Sequence, residues 1–112
     1  MSSKCDTHRF QGAVVEFLVC IEVGLPPDFD EERKRELTRA EAARARALVE
    51  DGTIVRLWRI PGRWANVGVW NAEDASRLHE AILSLPLFPW LDVTVTPLAT
   101  HPSDPSLPGR VS

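Results

Sequence analysis

Two runs rich in β-branched and aromatic residues, Thr53 to Ile60 and Arg63 to Trp70, are separated by Pro61-Gly62. Proline presets φ at the first central position of a tight turn and glycine tolerates the second, so the segment predicts an antiparallel hairpin. With a two-residue turn, Ile60 opposes Arg63 and Leu57 opposes Asn66. Val55, Leu57, Arg59, Trp64, Asn66 and Trp70 then share one face, and Ile54, Arg56, Trp58, Ala65, Val67 and Val69 share the other. Both faces are mostly apolar, whereas an antiparallel sheet with one face in water is polar on that side. A fold built on this hairpin must cover it twice.

The remaining segments supply one of the covers. Val14 to Val23 alternates, with Val15, Phe17, Val19, Ile21 and Val23 on one side, which predicts a strand. After Gly24-Leu25-Pro26-Pro27, either Asp28 or Asp30 can cap a helix whose first turn carries Glu31 and Glu32, and which runs to about Asp51 with Gly52 as terminator. Asn71 is expected to cap a second helix, with Asp74 three residues on and Ala75, Leu78, Ile82 and Leu85 as its apolar stripe. The corner Leu85-Pro86-Leu87-Phe88-Pro89 ends it, and Leu91 to Leu98 reads as a last strand. The order is βαββαβ, an α+β ferredoxin-like (split βαβ) sandwich with two helices on one side of a four-stranded antiparallel sheet. A second copy of the chain is the natural cover for the other side.

Residues 1–12 are polar and aperiodic and read as a flexible extension. Residues 13–100 form the folded domain, and 101–112 continue a proline-rich arm. With 112 residues, 44% apolar and 26% charged, there is material for one domain. The net charge of −3, with basic and acidic residues interleaved over Asp28 to Asp51, argues against nucleic acid. No apolar run approaches the ~20 residues of a membrane span, and no secretory pattern opens the chain. Cys5 and Cys20 make neither a disulfide framework nor a metal spacing, so a reducing cytoplasm is expected. No HExxH, CxxC, GxGxxG or P-loop occurs, and neither metal nor nucleotide cofactor is indicated.

Three residues interrupt apolar surfaces. Glu41 shares a helix face with Leu37, Arg44 and Leu48. Desolvation there would raise its pKa toward the range of a proton-transfer catalyst, unless it stays at the surface and pairs with Arg44. Arg59 and Asn66 lie diagonally on one hairpin face. They suit either a small anionic, carbonyl-bearing ligand or a structural hydrogen bond at a dimer interface. His79 falls on the Leu78 and Ile82 side of the second helix and reads as a packing residue. Arg56 and Arg63 read as solvated, and Trp58, Trp64, Trp70, Phe88 and Trp90 as core or interface material of which one or two could wall a pocket.

From about Val15 to Pro102, without a gap, the chain resembles the muconolactone delta-isomerase family. The resemblance rests on Leu25-Pro26, Asp28, Glu41, Gly52, Leu57-Trp58-Arg59-Ile60, Gly62, Ala65-Asn66, Leu78-His79, Leu85-Pro86-Leu87-Phe88-Pro89, Asp92 and His101-Pro102. It implies a dimeric α/β barrel that assembles further, into decamers in the founding enzymes. It also implies a reaction without metal or cofactor, conversion of muconolactone to 3-oxoadipate enol-lactone in catechol breakdown. Glu41, Arg59 and Asn66 would be catalytic, and Arg56, Trp58, Trp64, His79 and Phe88 candidate substrate contacts, with Arg59 or Arg56 for the substrate carboxylate. Ala42 stands where a lysine is common, Arg56 and Arg63 where histidines occur, and Ile54 in place of an aromatic. These departures bear on substrate choice, and a relative that eliminates chloride from chlorinated muconolactones marks the nearest alternative. A module that binds a small acid or serves assembly alone is a second alternative.

Overall fold

The computed structural model describes residues 14–107. The elements are β1 (Val15–Val23), α1 (Glu31–Glu50), β2 (Ile54–Arg59), β3 (Ala65–Ala72), α2 (Ala75–Leu83), a 3₁₀ turn (Phe88–Trp90) and β4 (Leu91–Leu98). The strands form one antiparallel sheet in the order β2-β3-β1-β4. This is the expected ferredoxin-like α+β arrangement. The extension 1–12, with Cys5 and His8, and the end of the arm, 108–112, lie outside the described residues.

The alternation read in β1 decides where the core lies. Phe17, Val19 and Ile21 are buried and join Leu48 of α1, Leu78 and Ile82 of α2, and Ile54, Trp70, Ala72 and Leu85 in one cluster. Both helices therefore lie on the side of the odd-numbered β1 residues. The capping is partly as expected: Asp30, rather than Asp28, caps α1 by accepting from Arg33 N at 2.8 Å. For α2 the cap is Asp74, which accepts from Arg77 N at 2.8 Å, and not Asn71. Asn71 stays in β3, opposite Glu16, because the ladder with β1 continues to Ala72.

The hairpin register differs from the two-residue expectation. Arg63 N donates to Ile60 O across Pro61-Gly62, but the strands next meet where Ile60 N donates to Ala65 O, so residues 61–64 form the loop. Gly62 has φ +81°. A Pro-Gly turn with positive φ at its second central residue splays the strands of a hairpin, and the loop widens to relieve this. The register moves by two residues. That keeps the faces but places Arg59 directly opposite Asn66 instead of diagonal to it. An irregularity between Ile54 and Arg56 reverses the start of β2, so Ile54 opposes Trp70 on the helix side and Val55 is exposed.

Gly68 marks the tightest point of the sheet. A Cβ there would sit 2.5 Å from Arg56 O and 2.9 Å from Leu57 Cδ1. The carbonyl belongs to the backbone of β2 and cannot yield without disturbing the ladder. Gly68→Ala is expected to cost about 2 kcal/mol in denaturant unfolding. Gly62→Ala, where no atom lies within 4 Å, carries only the left-handed backbone penalty of about 1 kcal/mol.

The second face carries Leu18, Cys20, Val67 and Val69, all half-buried, and Trp58, 43% exposed, with Arg56 stacked 4.6 Å from its ring centre. No helix covers it.

Candidate active site

Helix α1 and the corner after α2 meet at Glu41. Leu48, two turns further along, is buried in the core, which turns Glu41 toward the sheet side of α1. On the other side of the contact, Pro86 and Pro89 prevent α2 from continuing, while Leu85 and Leu87 bury their side chains. The amide of Leu87, released from helical bonding, donates to Glu41 Oε1 at 2.9 Å. Burial raises the carboxyl pKa above its ordinary value, and the Leu87 hydrogen bond opposes this with a smaller effect. Among the described residues Glu41 makes no ion pair.

The alternative pairing of Glu41 with Arg44 is not formed. Arg44 Nε instead donates to Ser84 Oγ at 2.8 Å, and that hydroxyl donates to Ala81 O at 2.6 Å. Glu41 and Arg44, one turn apart, thus tie α1 to two neighbouring points of the α2 corner.

Asn66 lies on the helix side of β3, paired with Ile21 and Arg59. Its Oδ1 is buried and has no hydrogen-bond partner, and the same holds for Trp70 Nε1 two pleats further along that face. Native interiors pair nearly all such atoms, so each is a place for water or a ligand. Arg59 shares this face on edge strand β2, is exposed, and has no hydrogen bond or ion pair among the described residues. Phe88, in the 3₁₀ turn beside Leu87, packs against the core.

The other residues singled out from sequence are dispersed. Arg56 and Trp58 alternate with Arg59 and lie on the opposite face of the sheet. Trp64 is in the hairpin loop with Lys34 of α1 5.4 Å from its ring centre. His79 is exposed rather than packed, because the buried stripe of α2 runs through Leu78 and Ile82. Trp70 and the Leu87 amide are the polar partners that the sequence did not reveal. An indole reads as core, and a main-chain N–H has no signature.

A hollow of about 210 Å³ opens on the helix-free face, lined by Cys20, Glu22, Arg63, Ala65, Asp92 and Thr94 among others. Arg63 Nη2 is 2.8 Å from Glu22 Oε1 across it. It lies across the sheet from Glu41. No cluster of metal-binding side chains occurs among the described residues, and no helix there is long and apolar enough to cross a membrane.

The fold agrees with what comparison finds. Residues 15–104 match the family model of muconolactone delta-isomerase. Muconolactone Delta-isomerase 2 of Acinetobacter lwoffii is 42% identical over 87 residues, which are 78% of this chain and 91% of that protein. The Rhodococcus opacus Muconolactone Delta-isomerase is 35% identical over 88 residues, 79% and 95% of the two chains. A crystal structure of muconolactone isomerase superimposes with a TM-score of 0.75 at 38% identity, covering 80% of this chain and 93% of the other. Sequence, fold and extent of coverage together make this chain a member of the muconolactone delta-isomerase family.

Proposed function

We propose that this protein isomerises muconolactone to 3-oxoadipate enol-lactone by carboxylate-mediated proton transfer, as a cytoplasmic enzyme with residues 13–100 as the catalytic unit. The observation that carries the reading is Glu41, a half-buried carboxylate of raised pKa with no ion pair among the described residues, on the same side of the sheet as Asn66 and Arg59. Glu41 removes the proton activated by the lactone system. The resulting dienolate places its charge on the lactone oxygen, and Glu41 returns the proton at the far end of the conjugated system. Asn66, through its amide NH₂, and Arg59 are the donors to that oxygen. Arg59 is also the better cation for the substrate carboxylate, since Arg56 lies on the other face and reaches this cleft only from another subunit. The proline-rich arm, described as far as Leu107, is then the segment that reaches a neighbour. The test is the ultraviolet absorbance change when purified protein meets muconolactone without added metal. A chlorinated muconolactone assayed alongside separates isomerisation from chloride elimination, and folded protein inert toward both would reject the proposal.

The helix-free face is the surface on which a second copy completes a dimeric α/β barrel, the unit from which a decamer is built. Its half-buried aliphatics and the exposed Trp58 are the apolar material for that contact. Trp58→Asp places a charge at its centre and is expected to lower the assembly state measured by light scattering while the monomer keeps its circular dichroism. An unchanged assembly would place the contact elsewhere.

A further inference from the structure

Trp70 is the largest fully buried side chain of the domain, 1% exposed, yet its indole N–H has no acceptor. Leaving a buried donor unpaired opposes folding, a cost that a purely hydrocarbon side chain in this core position would not carry. The direction of the indole is informative. Residues 66, 68 and 70 share the helix side of β3, and Trp70 Nε1 leans back to 3.5 Å from the point where Gly68 would carry a Cβ. Asn66, beyond Gly68 on that face, holds another buried polar atom without a partner. The bare backbone of Gly68 thus lies between two unsatisfied hydrogen-bonding side chains. Leu57 Cδ1 covers the same point at 2.9 Å and the main-chain oxygen of Arg56 borders it at 2.5 Å; Leu57 is 45% exposed on edge strand β2, so a side-chain rotation toward solvent opens the approach above that carbonyl.

We infer that Trp70 is a ligand-contacting residue: with Leu57 displaced, its indole N–H donates a hydrogen bond to the carbonyl oxygen of a lactone bound over Gly68, beside the Asn66 amide. This rests on the lactone reading of the site and adds a donor that stays in place when Arg59, on the edge, moves. It also gives Gly68 a second role, since a Cβ there would crowd a carbonyl oxygen seated above the glycine backbone. The donor is neutral and fixed by packing, which suits an oxygen whose negative charge grows during the reaction.

The test is nuclear magnetic resonance of protein labelled with ¹⁵N, titrated with (5-oxotetrahydrofuran-2-yl)acetate, a saturated lactone acid that cannot isomerise. The four tryptophan indole signals are assigned by through-bond and NOE connectivity, so no variant has to fold. The Trp70 indole proton is expected to move downfield more than those of Trp58, Trp64 and Trp90. Trp70→Phe, where it folds, is expected to lower kcat/KM for muconolactone about tenfold, the effect of one lost hydrogen bond. Shifts at the Arg59 and Asn66 amides with a stationary Trp70 indole would overturn the inference and leave the lactone reading standing. No shift anywhere at saturating lactone would overturn both.

Discussion

Glu41→Gln is expected to lower kcat for muconolactone by about 10³-fold, the usual scale for loss of a positioned general base. Glutamine keeps the shape and an oxygen that can accept from the Leu87 amide, so the corner that meets α1 should survive. The native enzyme's activity should fall on the acid side with an apparent pKa above that of a free glutamate, because burial disfavours the carboxylate. The same shift has a consequence for stability. A carboxyl whose pKa is raised by folding holds its proton more tightly in the native than in the unfolded chain. Native stability therefore falls as pH rises from the ordinary glutamate value through the raised one, and remains lower above it. Glu41→Gln should melt at a higher temperature than the native protein at pH 7, with the gap closing as pH falls to the ordinary glutamate range. Near-native turnover in this variant would remove Glu41 from the mechanism. A gap that did not close in acid would mean that packing, not ionisation, separates the two melts.

Asn66→Ala is expected to reduce kcat by about 10²-fold, as loss of one oxyanion donor does elsewhere. Its effect on folding should be of the opposite kind. Asn66 Oδ1 is buried with no partner, so truncation removes an unsatisfied polar atom along with some packing. Thermal unfolding should change little, while activity falls steeply. Arg59, directly across the ladder, is exposed and makes no bond among the described residues that the truncation could break. A variant that lost stability in proportion to activity would instead give Asn66 a structural role. One that lost neither would move the oxyanion donors to other groups.

The parts of this architecture that were legible in the sequence are those where a side chain's burial follows a simple period. Val15 to Val23 announces its core face because only the odd residues meet the helices. The placement of Leu48 and Glu41 on one stripe of α1 follows from the 3.6-residue repeat. Details set by backbone geometry were not legible. Pro61-Gly62 signals a turn, but the twist of that turn, which widens the loop, is a property of φ and ψ. The irregularity at Val55 has no side-chain signature, and it decides that Ile54 rather than Val55 meets Trp70. His79 follows Leu78 around the helix and was placed on its apolar side, yet one step of about 100° carries it into solvent. The division of Arg56 and Trp58 from Arg59 and Asn66 was present in the strand parity. The sequence left open which face the helices would take.

The partner of Glu41 is a main-chain N–H held between two prolines. Every residue but proline carries that donor, so drift at position 87 is free to change the side chain without touching the hydrogen bond. Alanine scanning would pass over it, recording only the packing loss of a buried leucine. Removing it takes an imino acid or the exchange of one amide for an ester. The group that holds the Glu41 carboxylate is thus inherited through the path of the chain, and it can persist in relatives whose residue at this point has nothing in common with leucine.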